Sequence, residues 1–184
     1  MIRQRFRLAP WCLWAIPALV AAQSPPTPPP PPCGGPEWKQ LDFWVGEWDL
    51  AWPARGQDPE GTGSNRIEKV LGGCILEESF AANGAAALVG RSLSAYDPSA
   101  KRWRQTWVDN QGSYLDFEGG LDDGGRMVLV HHGTSREGRP QVSRMVFLNV
   151  ARDSLDWRWE KSQDGGKTWQ LQWPIHYVRK GRIP

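Results

Sequence analysis

The chain has 184 residues with 22 Lys and Arg against 20 Asp and Glu, a formal net charge of +2. Three of those bases, Arg3, Arg5 and Arg7, lie in the first seven residues, and without them 19 bases face 20 acids, a net of about −1. No basic stripe is left, so charge gives no case for nucleic-acid binding.

Taken in chain order, the first element reads as a secretion signal. The three Arg precede an apolar stretch from Leu8 to Val20, and Val20-Ala21-Ala22 offers small residues for cleavage before Gln23. That stretch is short and interrupted by Pro10 and Pro17, too short to cross a bilayer about 30 Å thick as a helix. Residues 1–22 are therefore expected to be a signal peptide cleaved near Ala22, with the mature protein periplasmic or extracellular and without a transmembrane segment. Gln23 stands where a lipid-anchored protein would need Cys. Residues 24–32 are Ser, Thr and Pro with nothing apolar to bury, so 23–35 read as an extended linker and 36–184 as one domain. Cys12 leaves with the signal, and Cys33 and Cys74 remain as an even pair in an oxidising compartment. A disulfide closing a loop of about 40 residues would contribute roughly 4 kcal/mol. The rival reading, a thiol metal site, lacks further ligands nearby.

Pro36 to Phe43 is suited to a short helical turn, with Pro at a first helical position. Beyond it, strand-like pieces recur: 44–52, 64–71, 74–81, 87–96, 101–109, 113–119, 126–132, 141–150, 154–162 and 168–180. The turns between them carry Gly72-Gly73, Asp97-Pro98, Asn110-Gln111-Gly112, Asp122-Asp123-Gly124-Gly125 and Asp164-Gly165-Gly166. Those are hairpin chemistries, and none leaves room for a crossover helix, so neighbours should pair antiparallel. Of the twelve Trp, ten follow the signal, and most repeat at one parity: Trp44, Trp48 and Trp52; Trp103 and Trp107; Trp157 and Trp159; Trp169 and Trp173. Same-parity side chains share a face of a strand. Each ring has 150–250 Å² to bury, too much for one face of a small open sheet. The expectation is an all-β, up-and-down antiparallel barrel of about ten strands with rings inside. In the last strand Trp169, Leu171, Trp173, Ile175, Tyr177 and Arg179 share one parity, and Pro174, which cannot donate to a ladder, marks a bulge or an edge.

Two motifs read as structural. Ser162 to Trp169 matches the Asp-box pattern Ser-x-Asp-x-Gly-x-Thr-Trp, whose carboxylate ties a hairpin turn. Gly46-Glu47-Trp48 near the start and Arg179 near the end resemble the lipocalin-type signature, in which a guanidinium stacks on the Trp and seals one end of a barrel. More broadly, Leu41 to Trp48, Asn65 to Cys74, Trp103 to Asp109 and Ser162 to Trp169 resemble an uncharacterised, often exported bacterial family catalogued as domain of unknown function 1579. The resemblance implies a lipocalin-like (calycin-type) barrel, with relatives often carrying cysteines at the positions of Cys33 and Cys74. It implies no activity.

Candidate functional residues follow from parity. Gln105 and Asp109 are in register with Trp103 and Trp107, while Arg66 shares parity with Glu68. One reading is an internal polar set that orients a ligand among Trp44, Trp103, Trp107, Trp157 and Trp159. The other makes Arg66 and Glu68 a solvated outer pair with Ile67 and Leu71 inside. His131 and His132 are adjacent and face opposite sides, so they cannot share a metal without distortion. A lone inward His can hold a haem, but an ordinary surface or hydrogen-bonded His is the simpler account of these and of His176. No metal or cofactor is expected. Glu77-Glu78 and Asp122-Asp123 are pairs split across faces or in a turn, poorly placed as acid/base dyads. Three functions remain: binding of a small hydrophobic or amphipathic molecule in the barrel, a filled barrel acting as an envelope interaction module, or an enzyme using Arg66, Glu68 or Asp109.

Overall fold

In a computed structural model, residues 32–54, 60–84, 87–134 and 138–181 are described. The proposed signal peptide with its cleavage point, and most of the Pro-rich linker, lie outside these residues. Two single turns of 3-10 helix, Glu37–Lys39 and Asp42–Trp44, precede ten strands. These are β1 (Gly46–Trp52), β2 (Gly61–Val70), β3 (Ile75–Ala82), β4 (Val89–Asp97), β5 (Arg102–Asp109), β6 (Tyr114–Leu121), β7 (Met127–Thr134), β8 (Pro140–Leu148), β9 (Ser154–Ser162) and β10 (Gln170–Arg179). Every strand pairs antiparallel with its sequence neighbours, and β1 pairs with β10, closing the barrel in up-and-down order. Closure removes the unpaired edges that an open sheet of ten strands would expose.

Alternation drives the arrangement. In β2, Gly63, Asn65 and Ile67 are buried while Thr62, Ser64, Arg66 and Glu68 are exposed. In β3, Leu76, Glu78 and Phe80 are buried, and in β5 Trp103 and Gln105 are. The interior cluster draws Trp48 and Leu50 from β1, Leu129 from β7, Met145 and Phe147 from β8, Leu155 from β9, and Ile175 and Tyr177 from β10.

The two ends of the barrel differ. The 3-10 segment plugs the end where β1 begins, with Leu41 and Trp44 buried and Trp44 edge-on to Phe147 at 5.2 Å. The Cys33–Cys74 disulfide ties this segment to the start of β3. Arg179 stacks over Trp48, 4.1 Å from guanidinium carbon to ring centroid, and donates to the carbonyls of Val45 at 2.9 Å and Arg152 at 3.0 Å. Trp44 departs from the expected strand 44–52. Its N–H bonds the Leu41 carbonyl in a helical turn, and the strand starts only at Gly46, whose φ of +135° redirects the chain.

β10 also corrects its parity. A register shift between Leu171 and Trp173 places these two on opposite faces. Leu171 pairs with Glu160 on the outside and is 40% exposed, whereas Trp173 pairs with Trp159 on the inside. Trp169 consequently sits outside, with the Arg144 guanidinium 3.9 Å over its ring. The irregularity thus lies just before Pro174, because a bulge adds a residue and inverts every side chain upstream of it.

The Asp-box forms the β9–β10 turn. Asp164 Oδ1 accepts the backbone N–H groups of Lys167 at 3.0 Å and Thr168 at 2.9 Å, and Oδ2 accepts the Thr168 hydroxyl at 2.6 Å. The Thr168 bonds, helped by Ser162, hold this carboxyl far below the usual carboxylate range.

Candidate functional site

Between the plugged end and the opposite rim the barrel interior holds a cavity of about 180 Å³. Its wall is a run of rings touching edge to face: Trp107 on Phe80 at 6.0 Å, Phe80 on Trp173 at 5.8 Å, Trp173 on Trp157 at 6.0 Å, and Phe117 on Trp159 at 5.7 Å. Trp157 and Trp159, two apart on β9, are nearly parallel with centroids 6.4 Å apart. Such pairings add stability beyond the area they bury. They also present ring faces and edges to the space between them. Leu88, Leu115, Met145 and Ile175 complete the apolar lining.

Trp107 is held at the rim by two features. Its Nε1 donates to Asp109 Oδ2 at 3.0 Å, and its ring covers Gly90, occupying the space where a Cβ would stand. Gly90 is therefore a seat for the indole, and any larger residue would move it.

The base of the cavity is polar. Glu78 is buried at 6% exposure among Leu76 and Phe80 of its own strand. Its Oε1 accepts from Asn65 Nδ2 at 2.7 Å and its Oε2 from the Ser92 hydroxyl at 2.6 Å. Asn65 Nδ2 also donates to the Tyr177 hydroxyl at 3.2 Å. Burial pushes the Glu78 carboxyl above its ordinary range, against the lowering effect of the Ser92 and Asn65 bonds. Burial raises the Tyr177 phenol as well, and the neighbouring Glu78 adds to it. Trp44 caps this end with its indole N–H beside the Tyr177 hydroxyl but outside hydrogen-bond geometry. Trp44 Nε1 and Asn65 Oδ1 are both buried without a hydrogen-bond partner. Gln105, 3% exposed, lines the cavity and donates to Ser94 at 2.9 Å.

Of the ligand-contacting residues expected from parity, Trp44, Gln105, Trp107, Trp157 and Trp159 line this cavity. Trp103 is buried but belongs to the plugged end, where it donates to Gln40 at 3.1 Å and packs edge-on to Tyr96. Arg66 and Glu68 lie on the outer face as an exposed ion pair at 2.6 Å, with side chains 58% and 48% exposed. Ile67 decides between the two readings, because burying its side chain turns both neighbours out, but Leu71, expected inside with it, is 78% exposed in the turn after β2. Asp109 closes the β5–β6 turn. Its partial burial works against ionisation, but bonds from Trp107 and from the backbone N–H groups of Ser113 and Gln111 outweigh this and hold its carboxyl below the ordinary value. Arg66, Glu68 and Asp109 thus form no common site and do not reach the cavity.

Glu78, Tyr177, Asn65 and Ser92 were not singled out from sequence. The alternation Leu76-x-Glu78-x-Phe80 carried the signal for Glu78, since a carboxylate flanked at both even spacings by large apolar side chains must share their face. His131 shares the inner parity of Met127 and Leu129, with Nδ1 2.8 Å from the Asp116 carbonyl and its ring 5.6 Å from Phe117. His176 bonds Asp156 on the outer face at 2.7 Å.

A family model described as "Protein of unknown function (DUF1579)" matches residues 34–179. No curated protein matches the chain.

Proposed function

The chain belongs to the DUF1579 family, whose description names no activity, and we propose from the geometry that it binds one small hydrophobic or amphipathic molecule inside its barrel. The observation that carries this reading is an aromatic cavity of about 180 Å³ closed by a polar base. An apolar cavity of roughly 150 Å³ in another protein accepts benzene, so the space here suits one ring with a short substituent. Trp107, Trp157, Trp159 and Trp173 would supply stacking surface, while Trp44, Gln105, Glu78 and Tyr177 would orient the polar end. Trp103, Arg66, Glu68 and Asp109 have no part in that contact set. The cavity argues against a fully filled barrel serving only as an interaction module.

We infer that the chain works outside the cytoplasm, in the periplasm or beyond the cell, after loss of residues 1–22. The Cys33–Cys74 disulfide supports this, because such bonds persist in oxidising compartments. No helix among the described residues is long and apolar enough to cross a membrane.

The test is native mass spectrometry of protein purified from the periplasm, followed by titration with toluene monitored by tryptophan fluorescence. A retained small molecule, or a fluorescence change that saturates near one equivalent, is expected. Replacing Leu115, on the lining, with Trp should fill the space and remove the saturable change without loss of the fold. A bare mass together with no saturable change in the wild type would overturn the reading.

A further inference from the structure

Glu78 poses a problem that its protein neighbours do not solve. Its carboxyl is buried against an aromatic wall, and no Lys, Arg or His lines the cavity among the described residues. Both of its protein partners, Asn65 and Ser92, are neutral donors. A carboxylate offers about four acceptor positions, so two stay available. A buried carboxylate without a counter-charge is strongly disfavoured, so the group either holds a proton or is joined by a cation. Beside it on the lining stands a second oxygen, the Tyr177 hydroxyl, which accepts from Asn65 at 3.2 Å. The same cavity is lined by Trp107, Trp157, Trp159 and Trp173, and indole rings attract cations through their negative π surface.

We propose that the ligand of this cavity is a primary amine on an aromatic or short aliphatic body, bound as the ammonium with Glu78 as its counter-ion. The inference rests on the reading of the cavity as a ligand site and specifies its chemistry. An ammonium carries three N–H donors and no acceptor. Glu78 Oε and Tyr177 Oη, both on the lining, are the acceptors that meet it, and the Trp wall surrounds the adjoining carbon atoms. A quaternary ammonium has no N–H and would leave those acceptors unpaired. An anionic ligand would meet the Glu78 carboxylate with no basic side chain in the lining to offset it.

Calorimetric titration with 2-phenylethylamine, a cation at neutral pH, and with 2-phenylethanol, its neutral counterpart of nearly the same shape, tests this. The wild type should bind the amine about tenfold or more tighter than the alcohol, because a charge-assisted hydrogen bond replaces a neutral one. In Glu78→Gln that ratio should fall to near one. Equal affinities in the wild type, or a preference that survives in Glu78→Gln, would overturn the amine assignment while leaving the cavity a ligand site. If the variant does not fold, the wild-type ratio decides alone. If neither compound nor toluene binds, this inference and the proposed function fall together; if toluene alone binds, only the amine assignment fails.

Discussion

Arg179 Nη1 occupies the space that a Cβ on Gly46 would fill. The glycine carries two constraints, its φ of +135° and this contact, and each excludes a side chain for its own reason. Gly46→Ala should cost about 2 kcal/mol or more, combining backbone strain of roughly 1–3 kcal/mol with displacement of the guanidinium from Trp48. The two parts separate in a double-mutant cycle. In an Arg179→Ala background the steric part vanishes, so Gly46→Ala should cost less there, with a coupling of about 0.5–3 kcal/mol. Urea denaturation of the four proteins reads it out, and strict additivity would show that the contact carries no strain.

The disulfide ties the plug to the barrel rather than one strand to another. Cys33 precedes the 3-10 turns that carry Leu41 and Trp44, and Cys74 precedes β3. Opening it should therefore loosen the base of the cavity as well as lower global stability. Cys33→Ser with Cys74→Ser is expected to cost roughly 2–5 kcal/mol. It should also weaken ligand binding by loosening Trp44, which near-UV circular dichroism of the indole bands would follow. Loss of stability with unchanged bands and unchanged binding would place the plug's order in its packing alone.

Much of this architecture is legible in the residues. Ten alternating segments divided by Gly, Asp and Asn turns leave an antiparallel barrel as the economical way to hide so many indoles, and each expected strand has its counterpart within a few residues. Parity reads the faces correctly wherever the ladder is regular, as for Trp157 and Trp159. It fails where one residue is inserted: nothing in Trp169-Gln170-Leu171-Gln172-Trp173 announces that the bulge lies before Trp173, so parity alone puts Trp169 on the wrong face. The polar set at the base of the cavity is less legible for another reason. A polar residue on an inner parity looks the same in sequence whether it pairs locally or across the barrel. Glu78, Asn65, Ser92 and Tyr177 come from β3, β2, β4 and β10, and only closure of the sheet brings Tyr177 to Asn65, 112 positions away.

The raised Glu78 carboxyl has a consequence for stability against pH. The side chains facing it are Asn65 from β2 and Ser92 from β4, with Tyr177 of β10 beside them, and none is a cation. Its ordinary value is 4.5 and burial raises it in the fold. A carboxyl raised on folding binds its proton more tightly in the native state. Below pH 4.5 both states are protonated and nothing is lost. As the pH climbs from 4.5 through the raised value, the unfolded chain releases the proton first and native stability falls. Glu78→Gln removes this dependence. Urea denaturation at pH 4 and pH 8 should show the stability difference between variant and wild type moving in favour of the variant at the higher pH. An unchanged difference would mean that Glu78 ionises as easily in the barrel as in water.

Two tryptophans that look alike in the sequence should answer very differently to truncation. Trp48 is 0% exposed, donates to the Trp44 carbonyl at 2.8 Å and carries the Arg179 guanidinium, so it is packed on every side. Trp48→Ala should cost about 3–5 kcal/mol, because the transfer term and the cavity term both apply. Trp107 has the cavity on one side, Gly90 beneath it and only its Nε1 bonded to Asp109. Its removal enlarges an existing space and creates no new void, so Trp107→Ala should cost about 1.5–3 kcal/mol, near the transfer term alone. Ligand affinity should fall sharply, since one wall of the site is gone. Gly90→Ala reaches the same end from the neighbouring strand β4, pushing the indole off its seat without deleting any ring. Thermal denaturation beside toluene titration separates the cases: Trp48→Ala should lose more stability, whereas Trp107→Ala and Gly90→Ala should lose binding at a smaller cost to the fold. If Trp107→Ala proved as destabilising as Trp48→Ala and left toluene binding intact, the rim indole would be a core residue and the ligand would have to sit deeper, against Trp157 and Trp159.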